Sequence, residues 1–167
     1  NNTFSRFVSR NCIFMQLYSL EIDDFSEDDY QLIGLHSTLE DYQLAFFLNK
    51  KLKFKLIKAS HDLDFKDKSS SFSVFEYTNE GLDYSCYLIS NIYKSTVKST
   101  KKGFFKESEA VAYLIPEKKV DYFLKIEGNI KSGFIEQNIE KINSMPQIIT
   151  SYKIKTNTLK SKDFLIF

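Results

Sequence analysis

The stretch that most constrains this chain is Leu114 to Ile126, an apolar run that meets a proline, crosses two lysines and resumes with strict alternation. A strand sends successive side chains to opposite faces. Val120, Tyr122, Leu124 and Ile126 are therefore expected on one side, and Asp121, Phe123, Lys125 and Glu127 on the other. Pro116 cannot donate to a strand ladder and presses Ile115 towards extended geometry, which predicts a strand end or sheet edge there. Read this way, the stretch is an edge-forming strand turn that sets the sheet's register, and Asp121, Phe123 and Lys125 form its outward face.

Further strands are predicted at Tyr18–Ile22, Tyr30–His36 and Lys53–Ala59, and a hairpin at Phe72–Thr78 and Leu82–Ser90. Asn79-Glu80-Gly81 would turn the hairpin with Gly81 at positive φ, and Leu82, Tyr84, Cys86 and Leu88 would mark its core face. Gln147–Ile154 and Asp163–Phe167 read as closing strands. A capping box with Ser37 at the cap and Glu40 three residues on predicts a helix over Thr38–Lys51. Its apolar arc is broad, taking in Leu39, Tyr42, Leu44, Ala45, Phe46, Leu48 and Leu52, while Phe47 falls alone on the polar arc. A second helix is predicted over about Gly133–Asn143 with an apolar stripe of Phe134, Ile135, Ile139 and Ile142, and Pro146 limits it.

Many sequential strands with two helices indicate an α+β fold, a mainly antiparallel sheet with the two helices packed on one face. Residues 1–14 read as an N-terminal extension and 15–167 as one domain, since no linker or repeat divides them. At 167 residues and 43% apolar composition, the chain can bury a substantial core. Asp23 to Asp29 is an acidic stretch without the spaced ligands and central glycine of a calcium loop, and reads as a solvated loop.

Charge argues about partners. The formal net charge is +1, yet residues 1–83 carry 9 basic and 14 acidic side chains and residues 84–167 carry 14 and 8, giving −5 and +6. The simpler explanation is that the halves interleave in one domain; the sharper ones are an anion-binding face or charge-guided self-association. Residues 91–109, with Lys94, Lys98, Lys101, Lys102 and Lys106 beside Phe104 and Phe105, read as a lysine-rich loop next to two core phenylalanines. Such a mixture can bind single-stranded nucleic acid, but it holds no arginine and no RNA-binding signature, so nucleic acid is an unlikely partner. The two cysteines, Cys12 and Cys86, are far apart, and Cys86 lies on a core face, a usage that suits a reducing cytoplasm. No apolar run reaches membrane-spanning length.

Chemistry is sparse. His36 and His61 lie in no zinc-binding pattern, and there is no nucleophile elbow, P-loop or dinucleotide fingerprint. Asp41, Glu117 and Asp121 are the carboxylates whose positions are informative, with His36 beside the helix start. A turn role for Glu117 and a cross-strand ion pair between Asp121 and Lys125 explain them with fewer assumptions than an acid–base pair. No catalytic residue, metal or cofactor is assigned. Phe47 and Phe123, aromatics on predicted polar faces, are candidate binding residues.

Ile115-Pro116-Glu117 followed by Val120-Asp121-Tyr122, together with Leu32 to His36 and Asp41 to Asn49, resembles the IPExxxVDY family of Bacteroidota proteins from Met15 onwards. The chain departs from the family string by having two residues, Lys118 and Lys119, where the name implies three. The resemblance implies a bacterial cytoplasmic protein of similar size and transfers no catalytic residue. The function expected is a non-enzymatic protein-interaction module whose partner is protein, a second copy in a homodimer or another chain. The alternatives are a small-ligand-binding protein or enzyme using Asp41, Glu117, Asp121 and His36, or a nucleic-acid-binding protein.

Overall fold

A computed structural model describes residues 30–64, 70–99 and 106–166, apart from the side chains of 96–99 and 106–109. The expected strand at Tyr18–Ile22, the acidic loop, Cys12, and Phe104 and Phe105 lie outside the described residues. In chain order the elements are β1 (Tyr30–Ser37), α1 (Asp41–Leu52), β2 (Ile57–Lys58), β3 (Leu63–Asp64), β4 (Ser71–Phe72) and β5 (Val74–Asn79). There follow β6 (Tyr84–Ser90), β7 (Ile92–Ser99), β8 (Lys106–Tyr113), β9 (Tyr122–Gly128), α2 (Phe134–Asn143) and β10 (Ile148–Ile154), then 3-10 turns at Thr156–Thr158 and Lys162–Leu165.

Six strands form the main sheet in the order β10-β1-β9-β6-β5-β2, and every pair in it is antiparallel. Leu44, Ala45, Leu48 and Leu52 of α1 and Ile135 and Ile142 of α2 join Ile33, Leu35, Cys86, Leu88, Tyr122, Leu124 and Ile126 in one core layer. The fold is thus α+β, with both helices feeding the same side of the sheet. The opposite face is buried as well. Tyr30, Leu32, Val74, Ile89 and Phe123 pack there against Phe72, Leu114, Ile115, Val120, Leu159 and Leu165.

That second layer corrects the reading of the Pro116 stretch. β8 ends at Tyr113 and pairs with β7, whereas β9 lies between β1 and β6 in the interior of the sheet. A strand covered on both faces has no outward side. Phe123 is 0% exposed and Lys125 1%, so neither is the surface group their alternation predicted. Val120 likewise belongs to the Phe123 layer and not to the Tyr122 layer. No ion pair joins Asp121 to Lys125; the Lys125 ammonium instead pairs with Glu127, donates to the Leu165 carbonyl and sits 4.9 and 5.4 Å from the ring centres of Tyr30 and Tyr87. An ammonium taken out of water costs several kcal/mol unless its donors are met, and a carboxylate, a carbonyl and two ring faces meet them.

Other boundaries shift for local reasons. Ser37 ends β1, and the helix cap passes to Glu40, whose N–H donates to Gln43 Oε1 at 3.3 Å. Four of the apolar-arc residues of α1, namely Leu44, Ala45, Leu48 and Leu52, are buried, while Tyr42 and Phe46 are exposed and Phe47 is half-buried against the core. The contact stripe is therefore narrower than the apolar arc, and the places of Phe46 and Phe47 are exchanged relative to the expectation. The β5–β6 hairpin forms, but its turn runs over Glu80–Asp83, Asp83 takes the positive φ of 53°, and Leu82 is exposed. Between Lys53 and Ala59 the strand is confined to Ile57–Lys58, although Phe54 and Leu56 are buried. Where a loop was expected, Ile92–Ser99 and Lys106–Tyr113 are the paired β7 and β8, and the expected last strand is a 3-10 turn over Lys162–Leu165 with Leu165 buried. Among the described residues no helix is long and apolar enough to cross a membrane.

Candidate functional site

The end of β1 and the start of α1 bring together most of what chemistry the chain has. Asp121, just ahead of β9, accepts the Ser37 N–H at Oδ2 over 3.0 Å, and the same oxygen lies 3.6 Å from His36 Nδ1. Ser37 Oγ donates to the Gln147 carbonyl at 3.0 Å and accepts the Leu39 N–H at 3.2 Å. Tyr122, the first residue of β9, donates its hydroxyl to the Leu39 carbonyl at 2.6 Å. Burial first, then the Asp41, Glu40 and Asp121 carboxylates, raise the pKa of that hydroxyl and keep it a donor. These bonds fix the β1–α1 corner to residues at the starts of β9 and β10 that are 83 to 110 positions away along the chain.

The corner forms one wall of an open cleft of about 620 Å³. Its lining takes in Glu40, Asp41 and Asp121, Lys94, the serines Ser71, Ser73 and Ser90, and Ile149. The structure thus brings Asp121 to His36, and Asp41 onto the same cleft as Asp121. It does not bring Glu117, which is fully exposed on the loop after Pro116 and accepts a hydrogen bond from Ser161 Oγ at 2.9 Å. The backbone amide of Glu117 itself, with lesser help from Ser161 and Lys160, outweighs a small burial effect and holds this carboxyl below its ordinary value.

Nucleophilic chemistry is not assembled at the corner. His36 meets Asp121 and, at 6.1 Å between ring centres, Tyr152. The hydroxyls of Ser37 and Ser90 are spent on the carbonyls of Gln147 and Ile92. Cys86 is a buried free thiol whose pKa burial pushes up to about 12, which makes it inert as a thiolate. Among the described residues no three of His, Cys, Asp and Glu converge as a metal site.

On the outer side of α1, Tyr42 is 61% exposed and Phe46, one turn on, 63%, with the Phe47 ring edge-on to Phe46 at 5.5 Å. Lys50 continues the stripe by another turn and is exposed. The sequence phase set Phe47 alone on the polar arc, whereas Tyr42 and Phe46 are the exposed rings, because amphipathic phase cannot tell the margin of an arc from its centre. The lysine side chains at 98, 101, 102 and 106 lie outside the described ones. No family model, curated protein or solved structure matches this chain.

Proposed function

We propose that this protein is a non-enzymatic protein-interaction module of the bacterial cytoplasm, kin to the IPExxxVDY family, and that the outer face of α1 is its docking surface. The observation that carries this reading is the pair Tyr42 and Phe46, both more than 60% exposed one helical turn apart. Burying an aromatic ring against a partner contributes about 1.5–3 kcal/mol, and Tyr and Phe are enriched at interface centres for that reason. The inward positions of α1 are filled by Leu and Ala, so these two rings stand outside the core the helix covers. In-cell cross-linking followed by mass spectrometry tests it: Lys50 and Lys51 should link to a second polypeptide, and Phe46→Glu should abolish those links while leaving the protein folded. Links from Lys50 and Lys51 that survive Phe46→Glu, or that never reach another chain, would overturn the reading.

A second reading is favoured by the cleft, whose volume suits a small molecule and whose lining includes the acids Glu40, Asp41 and Asp121 and the base Lys94. The ligand class that matches is a small zwitterion, its amine toward Asp41 and Asp121 and its acid toward Lys94. Amide resonances of Ser37, Lys94 and Asp121 should move on titration with zwitterionic metabolites; unchanged positions across a broad panel would end this reading.

A further inference from the structure

Resting on the reading of α1 as a docking face, we infer that the partner is a second copy of the same chain, with the two α1 helices crossing antiparallel about a twofold axis at Phe46. The argument is self-complementarity. Along its most exposed side α1 carries Tyr42, Phe46 and Lys50, one turn apart, with Lys50 in the last turn. The helix dipole favours acids at the start and lysines at the end. It does not ask for two exposed rings between them.

A twofold axis at Phe46 sets one Phe46 ring against its copy and places residues equally far before and after it face to face. Tyr42, four residues before, then meets Lys50, four after, a ring under an ammonium. That contact occurs twice, as an isologous interface requires. A parallel crossing would set Lys50 against Lys50, so charge selects the antiparallel one.

The test uses the full chain in sedimentation equilibrium over a wide concentration range. A monomer–dimer equilibrium is expected, weakened at least tenfold by Phe46→Glu and by Tyr42→Glu. A monomer at every concentration overturns the second copy as partner, and cross-links from Lys50 to a different protein in cells would show the docking face surviving that failure. Geometry is read separately with Phe46→Cys in a Cys12→Ser, Cys86→Ala background. Residues on the twofold axis should oxidise to a 46–46 disulfide many times faster than Glu80→Cys, an exposed turn position in the same background. Equal rates at the two positions would overturn the antiparallel crossing even if a dimer forms.

Discussion

Three asparagines satisfy backbone groups that the strands and helices leave over. Asn49 returns both bonds to Leu56, at 2.8 and 2.9 Å, just after Lys53 turns the chain in the left-handed region. Asn91, fully buried, accepts the Ile115 N–H at 2.8 Å and donates to the Lys118 and Val120 carbonyls at 2.7 and 2.9 Å. Asn143 does the same for Ser151. A carboxamide carries one acceptor and two donors, so it can stand in for a rung of a ladder wherever no strand is at hand. None of these roles was legible in the sequence, because the partner of each is set by how the chain returns and not by spacing. The burial of Cys86 was legible, since alternation alone put it on the core face. Its pKa sits at about 12 against an ordinary 9.0. Through that window the unfolded thiol has released its proton and the folded one keeps it, so stability is complete below the ordinary value and falls as pH rises. The slope is about 1.4 kcal/mol per pH unit for one proton. Tyr122, also raised by burial, acts in the same direction at still higher pH. Urea unfolding in mildly and strongly alkaline buffer should show this slope, and Cys86→Ala should reduce it; equal slopes in the two proteins would contradict the burial.

At the scale of elements, the sheet's long edge is β10, and Asn143 guards it. The Ser151 N–H and carbonyl both go to that side chain, at 2.7 and 3.1 Å, so the middle of the edge offers no free rung to another strand. Asn143→Ala should lower stability by about 1.5–3 kcal/mol, in line with three lost hydrogen bonds to Ser151, and should also open the edge. Light scattering should then grow with protein concentration, while a variant that is destabilised yet stays monodisperse would show that something else protects β10. This edge also explains why β9 was misread. Alternation within Tyr122–Glu127 separates two faces correctly, with Tyr122, Leu124 and Ile126 on the helix side. It cannot say that the other face is covered too, because the cover comes from Leu159 and Leu165 far along the chain. Lys125 was the misleading residue: a lysine in a strand reads as solvent-facing, and here its charge is met by Glu127 and Leu165. Helix α2 was predicted within one residue because its stripe and its stop are both local.

For the whole molecule, the opposite charges of the two halves find their explanation in the strand order. β1, β5 and β2 come from the acidic half and β10, β9 and β6 from the basic half, with β1 inserted between β10 and β9. Interleaving of this kind means that neither half owns a core. Fragments cut at Gly81, in the β5–β6 turn, should each lack a cooperative unfolding transition and should regain one when mixed in equal amounts. Cooperative unfolding of either fragment alone would refute the interleaved core. The candidate site follows the same logic, since its corner joins Ser37 to Asp121 and Gln147 across the chain. Its residues could be named from the sequence, but their meeting could not.

The same insertion of β1 bears on how the protein is made. Leu32 pairs with Lys125 on one side and Ile154 on the other, so the first described strand waits for nearly the last. While a ribosome is still upstream of β9, the apolar Leu32, Ile33 and Leu35 have no neighbour in the sheet on either side. Pairings this distant are slow to close. Folding of this chain is therefore timed by the arrival of its C-terminal strands, and a nascent polypeptide stalled before Ile148 carries an open β1 edge for as long as it stalls.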